Sequence, residues 1–227
     1  MTYQLFDLAM ADRDLRISPF CWLVKFAMLH KGVEFETTPL CFSEKENYPD
    51  PEYGKLPVLK AGDELIRESA QIVAFLEKEH PETPLTATSG EAAAADFYNA
   101  WVMGTLFSAL APMLMGRVYA LVDPSDKAYF RETREARFGV TLEELAAMPG
   151  AAEKAESVLQ TLSAPLVRHK FLGGETPNLS DYIVFSPLLW QLMTTSDALY
   201  ETPQPVAAWI ERMLDLFDGY ARTHKPA

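Results

Sequence analysis

The stretch Ser18-Pro19-Phe20-Cys21-Trp22-Leu23-Val24-Lys25-Phe26-Ala27-Met28 opens a helix in a way that organises everything around it. Proline suits the first helical turn, where its missing N–H would have no partner and its fixed φ is already helical. Serine just before it is a strong N-cap. Phe20, Leu23, Val24, Ala27 and Met28 recur at helical spacing up to Lys31, and Gly32 supplies a left-handed stop. Upstream, Tyr3 to Leu8 alternates like a short strand, followed by a polar loop from Ala11 to Arg16. Downstream, 33–38 reads as a second strand, and 43–55, with Pro49, Pro51 and Gly54, as irregular chain with a short helix. Leu56 to Lys60 and Glu64 to Arg67 form a hairpin about Ala61-Gly62-Asp63. Ser69 to Glu79 is an amphipathic helix with Ile72, Val73, Phe75 and Leu76 inward. The order β-α-β-(α)-β-β-α predicts a small α/β domain with a mixed sheet over 1–82.

After a linker at 83–90 the pattern is helical throughout. The expectation is one long helix over 91–119, kinked at Pro112, then helices over 131–144, 151–162, 181–194 and 205–220. Residues 91–227 therefore read as an all-α domain. The 227 residues, 48% of them hydrophobic, suffice for proper cores. A net charge of −12 disfavours nucleic acid and anionic membrane surfaces as partners, because both select clustered Lys and Arg. No signal-peptide pattern opens the chain, and no apolar stretch is expected to reach membrane-span length. Cys21 and Cys41 make no disulfide framework, which points to a cytoplasmic location. The histidines at 30, 80, 169 and 224 are scattered, so no metal is expected.

Three motifs carry chemistry: Ser18-Pro19-Phe20-Cys21, Leu56-Pro57 and Glu68-Ser69. Ser18 either simply caps the helix or also donates its hydroxyl to a bound thiolate, helped by the partial positive charge of the helix end. Pro57 is an ordinary trans proline or a cis one that turns the Leu56 backbone outward to pair with an extended peptide. Ser69 reads as an N-cap whose N–H and hydroxyl suit a carboxylate, and Glu68 as a partner for an ammonium group. Lys55 offers a cation to a second carboxylate, with Lys45 a weaker candidate. Cys21 reads as a buried helix residue rather than a nucleophile. Together the motifs describe a site that holds both ends of a small peptide and steadies a thiolate between them.

On these residues the chain resembles the cytosolic glutathione transferases of the serine type. The resemblance implies a thioredoxin-like N-terminal domain, an all-helical C-terminal domain, and glutathione as co-substrate. It places the thiolate on Ser18, the cis-proline at Pro57, and glutathione contacts on Lys55, Leu56, Glu68 and Ser69. The family's buried capping box is matched by Asn178-Leu179-Ser180-Asp181, with Asn in place of the usual Ser or Thr. Within the family, Ile17-Ser18-Pro19-Phe20 with Trp22, Phe171-Leu172-Gly173-Gly174, and Trp209-Ile210-Glu211-Arg212 leading to Asp215-Leu216-Phe217-Asp218-Gly219 look most like bacterial β-etherases and fungal etherase-like enzymes. Ser18-Pro19-Phe20 is also similar to plant tau-class enzymes.

The electrophilic second substrate, apolar or aromatic, is expected between the domains, against Tyr98, Trp101, Met113, Met115 and Tyr119 of the long helix, with Trp190 further on. Relatives of this kind imply a homodimer. A non-catalytic ligand carrier, a glutathione-dependent isomerase and a thiol-disulfide reductase are the rival functions, the last opposed by serine at position 18.

Overall fold

The computed structural model describes residues 2–224 and Pro226; Met1, Lys225 and Ala227, which fall within the expected domains, lie outside the described residues. Strands β1 (Tyr3–Leu8), β2 (Phe35–Leu40), β3 (Val58–Ala61) and β4 (Glu64–Arg67) form a four-stranded sheet in the order β2-β1-β3-β4. β1 and β2 run parallel, joined through α1 (Pro19–His30); β3 is antiparallel to both β1 and β4. A crossover helix between parallel strands followed by a tight hairpin gives this mixed topology. The mixed sheet with its helices is the thioredoxin-like arrangement expected.

β2 begins two residues later than the apolar pattern suggested and runs through Pro39. It is an edge strand, where a proline need not donate to a ladder. The alternate residues Tyr3, Leu5 and Asp7 of β1 are buried. Asp7 accepts from Lys25 Nζ at 2.9 Å, and both side chains are essentially without solvent contact. The Lys25 ammonium also lies 3.7 Å from the Trp22 ring centroid. This buried pair ties α1 to the sheet strand beneath it.

After α2 (Ser69–Glu79) the chain is helical. α3 (Ser89–Trp101), a π-helical turn (Val102–Leu106) and α4 (Phe107–Leu121) run on without a break. Pro112, where a kink is expected, lies inside α4, and a further irregularity lies at 102–106, where hydrogen bonding widens to the next residue. The sequence expectation of no span-length apolar stretch is corrected here: Ser89–Leu121, 33 residues, contains a window of mean hydropathy 1.3 that is long enough to cross a membrane. Half of that window is buried inside this fold, against α7 (Ala151–Arg168) and α8 (Leu179–Thr194), which accounts for its apolar character.

The single helix expected over 131–144 is two: α5 (Lys127–Phe138) and α6 (Leu142–Ala146). Gly139, at φ 72°, ends the first, and Thr141 with Glu144 forms a capping box that starts the second. α9 (Gln204–Gly219) loses helical geometry at Leu216, Phe217 and Asp218.

The capping box at Asn178 is present with both reciprocal bonds. Asp181 does more than cap. One carboxylate oxygen accepts from Leu172 N (2.7 Å) and Trp209 Nε1 (2.9 Å), the other from Gly173 N (2.9 Å) and Asn178 N (3.1 Å). It thus pins the Phe171–Gly174 bridge, α8 and α9 to one buried point. Gly173 is required there: a Cβ would lie 2.6 Å from Asn178 Cγ and 2.7 Å from the Thr176 carbonyl oxygen.

Candidate active site

Ser18 is buried at the N-terminus of α1 with extended backbone (φ −67°, ψ 117°) and caps the helix by accepting from Cys21 N at 3.4 Å. That bond is long for a cap, and the hydroxyl proton remains available for a second partner. Cys21 is wholly buried, and burial pushes its thiol far above the ordinary range, so it stays a neutral core residue. Cys41 is also buried, with its thiol pushed up to about 11 by burial and Sγ 3.2 Å from the Met10 carbonyl oxygen.

The Leu56–Pro57 peptide is cis. Leu56 N–H and C=O make no backbone hydrogen bond among the described residues, so both remain to pair with a ligand. At the other motif the structure corrects the capping assignment. Glu68, not Ser69, occupies the N-cap position, and Ser69 is the first helical residue. Glu68 holds φ 59°, ψ 131°, a conformation uncommon for a residue with a side chain. Among the described residues no side chain caps α2, and its first helical bond is Ile72 N to Glu68 O, so the N–H groups of Ser69, Ala70 and Gln71 have no intrahelical partner. Two helix N-termini, those of α1 and α2, therefore present partial positive charge at one place.

Ser18, Lys55, Leu56, Pro57, Glu68 and Ser69 all line a single cavity of about 590 Å³. The segment carrying Lys55 is held by Asp50, which accepts from Tyr53 N at 3.0 Å and pairs with Arg67 of β4. Tyr53, absent from the sequence reading, lies on the same wall against Glu68; its phenol is pushed up to about 12, by burial first and then by the Glu68 carboxylate. Lys45 is not part of this lining and sits with Nζ 4.4 Å from the Tyr129 ring centroid.

The opposite wall belongs to the helices, and here the expectations divide. Met115 and Trp190 line the cavity. Tyr98, Trp101, Met113 and Tyr119 do not; they are half-buried against the core. Met113 lies about 200° around the helix from Met115. Tyr119 stands behind the wall, with Arg131 4.8 Å and Lys127 5.2 Å from its ring centroid. The wall residues without a counterpart in the sequence analysis are mostly aromatic, with two arginines among them. Phe20 stacks on Phe107 (5.8 Å, 21°), which meets Trp190 (5.8 Å, 44°), so a row of rings joins α1, α4 and α8. Phe42 and the α5 face bearing Tyr129, Phe130, Thr133, Arg134, Arg137 and Phe138 also line it. The spacing 130, 134, 137, 138 is a helical face legible in sequence, but nothing in the sequence says what it faces.

Comparison with known families agrees with this geometry. Residues 14–84 match the model of the glutathione S-transferase N-terminal domain, and residues 93–218 that of the glutathione S-transferase C-terminal domain. The chain belongs to the glutathione S-transferase family. Its fold is shared with a glutathione transferase from Phanerochaete chrysosporium (TM-score 0.74, 22% identity, covering 98% of this chain and 94% of the other). It is also shared with a glutathione S-transferase of Ceriporiopsis subvermispora solved in complex with glutathione (TM-score 0.70, 23% identity, 97% and 94%). A third is glutathione transferase F7 from Populus trichocarpa (TM-score 0.65, 20% identity, 96% of each chain). At these identities the structural likenesses establish the transferase fold.

Proposed function

We propose that the protein is a glutathione-dependent transferase in which Ser18 steadies the glutathione thiolate for attack on an apolar or aromatic electrophile. The observation that carries this reading is the single cavity. One wall gathers Ser18, Lys55, Leu56, Pro57, Glu68 and Ser69 from separate loops, and the other is built of Phe20, Phe107, Met115 and Trp190. The residues on the first wall fit glutathione group by group. The free N–H groups of α2 with the Ser69 hydroxyl suit the γ-glutamyl carboxylate, and Glu68 the ammonium. The Leu56 backbone suits the cysteinyl peptide groups, and Lys55 the glycine carboxylate.

Ser18 then donates to the sulfur. The hydroxyl and the helix end both favour the anion, lowering the thiol pKa, and the fixed peptide aims the sulfur at the facing wall. The thiol proton passes to solvent. The sulfur pair forms a C–S bond while the leaving group departs with the electron pair of the bond that breaks. Where that leaving group is an aryloxide, the same step cleaves a β-aryl ether, giving a thioether and a phenolate. We propose this etherase-like chemistry as the subclass. The buried Cys21, with serine at the helix end, speaks against a disulfide reductase.

A homodimer in the cytoplasm completes the proposal. Its support is an apolar exposed stripe on α3, Ala93, Phe97 and Ala100, with Phe97 63% exposed. The test is glutathione conjugation of 1-chloro-2,4-dinitrobenzene, followed by a β-aryl ether substrate with release of the phenol as the readout. Tight binding of glutathione without turnover of any electrophile would favour a ligand carrier instead.

A further inference from the structure

Among the described residues four charged ones line the cavity: Lys55, Glu68, Arg134 and Arg137. Glutathione accounts for the first two, on the reading above. The two arginines lie away from the peptide-binding loops, on successive turns of α5. Neither forms an ion pair among the described residues. Their neighbour Arg131 behaves differently: it is paired with both Glu135 and Glu143. A chain with 32 acidic and 20 basic residues has no shortage of carboxylates to neutralise surface arginines.

Arg134 is half-buried, with its guanidinium 4.4 Å from the Phe130 ring centroid and 5.1 Å from that of Phe42, and its one hydrogen-bond acceptor among the described residues is Thr133 Oγ1 at 2.8 Å. Burial, with Arg137 nearby, holds its pKa below the ordinary arginine value. A partly desolvated guanidinium resting on two adjoining aromatic rings, whose centroids are 6.0 Å apart, with most of its five donors unspent among the described residues, is short of an anion.

We propose that Arg134, assisted by Arg137, binds an anionic group on the second substrate, so that the preferred electrophile is an aromatic carboxylate. The ring lies among Phe42, Phe130 and Phe107 while its carboxylate meets the guanidinium, leaving the electrophilic carbon toward Ser18. The proposal rests on the transferase reading and deepens it. In the conjugation step the glutathione sulfur forms the C–S bond, the C–X bond breaks and X⁻ leaves with its electron pair; the carboxylate is a handle and does not react.

The test uses a matched pair of aryl halides, 4-chloro-3,5-dinitrobenzoate and its methyl ester, with glutathione, on the wild type, Arg134→Met and Arg134→Lys. Methionine keeps the packing against the Phe42 and Phe130 rings. The expected result is that Arg134→Met loses about tenfold to a hundredfold in kcat/KM for the acid, the range of one charge-assisted hydrogen bond. The ester and the KM for glutathione stay unchanged, and lysine restores part of the loss. Equal losses for acid and ester would reduce Arg134 to a packing role. A raised KM for glutathione alone would move it to the peptide half. Either result overturns the proposal. Calorimetric binding of unreactive 3,5-dinitrobenzoate separates the two levels of the argument. Binding that disappears in Arg134→Met, with no turnover of any electrophile, keeps the anion site and removes the transferase reading. Turnover of the ester without binding of the acid does the reverse.

Discussion

Replacing Ser18 with alanine separates its observed cap from its proposed role at the thiolate. The cap to Cys21 N is long, 3.4 Å, so its loss costs the fold about 1 kcal/mol or less and shifts the urea midpoint slightly. The hydrogen bond to a thiolate is charge-assisted and contributes about 1.5–3 kcal/mol. At about 1.4 kcal/mol per unit, its removal raises the bound thiol's pKa by about one to two units. The consequence is a pH-dependent defect. Below the wild-type pKa the variant carries about tenfold to a hundredfold less thiolate and turns over correspondingly more slowly; well above both pKa values the two enzymes converge. The assay is kcat/KM for 1-chloro-2,4-dinitrobenzene against pH, with thiolate absorbance of the glutathione complex titrated in parallel. A variant whose pH profile and thiolate titration overlay the wild type would refute the assignment and leave Ser18 a cap only. A loss that is uniform across pH and follows the urea midpoint would do so as well.

Asp181→Asn keeps shape but converts one acceptor oxygen into an N–H donor, which orphans two buried N–H groups; at about 1–3 kcal/mol each, stability falls by about 2–6 kcal/mol, read as a lower urea midpoint with unchanged slope. His30, between Tyr182 Oη (2.7 Å) and the Pro84 carbonyl oxygen (3.2 Å), has its pKa lowered, chiefly by burial. The unfolded chain therefore binds more protons than the folded one, so His30's share of stability is complete above pH 6.5 and is lost as pH falls from there toward the folded pKa. His30→Gln should flatten the stability curve over that window, and an unchanged slope counts against the assignment. Phe97→Asp places a charge in the exposed α3 stripe and should convert the proposed dimer to monomer in sedimentation velocity without changing the circular dichroism spectrum; a wild type that already sediments as a monomer counts against the dimer.

The half of the cavity proposed to hold glutathione was legible because its residues sit at element ends. Ser18 before Pro19, Leu56 before Pro57 and Glu68 before the Ser69 helix each advertise a local backbone event, and such events depend on near neighbours. The same holds for Asn178 to Asp181, and for the missed Thr141-Leu142-Glu143-Glu144, whose capping-box signature was equally available. Glu68 in place of Ser69 as cap was not legible, since a positive φ on glutamate reflects what the surroundings impose and not the residue's own preference.

The substrate half divided differently. Helical periodicity shows that Met113 and Met115 point apart, and that Phe130, Arg134, Arg137 and Phe138 share a face. It does not say which face meets core and which meets a cavity. The sequence by itself determined the element order, the α/β class followed by helices, and the residues that end each element, because these follow from dihedral preference and unpaired backbone groups. Only the tertiary structure decided that Met115 and Trp190 reach the cavity while Tyr98, Trp101, Met113 and Tyr119 do not, and that two arginines of α5 line it without a carboxylate partner among the described residues. Those outcomes depend on how α4, α5 and α8 pack against one another and against the sheet domain, which is set by contacts between residues distant in the chain.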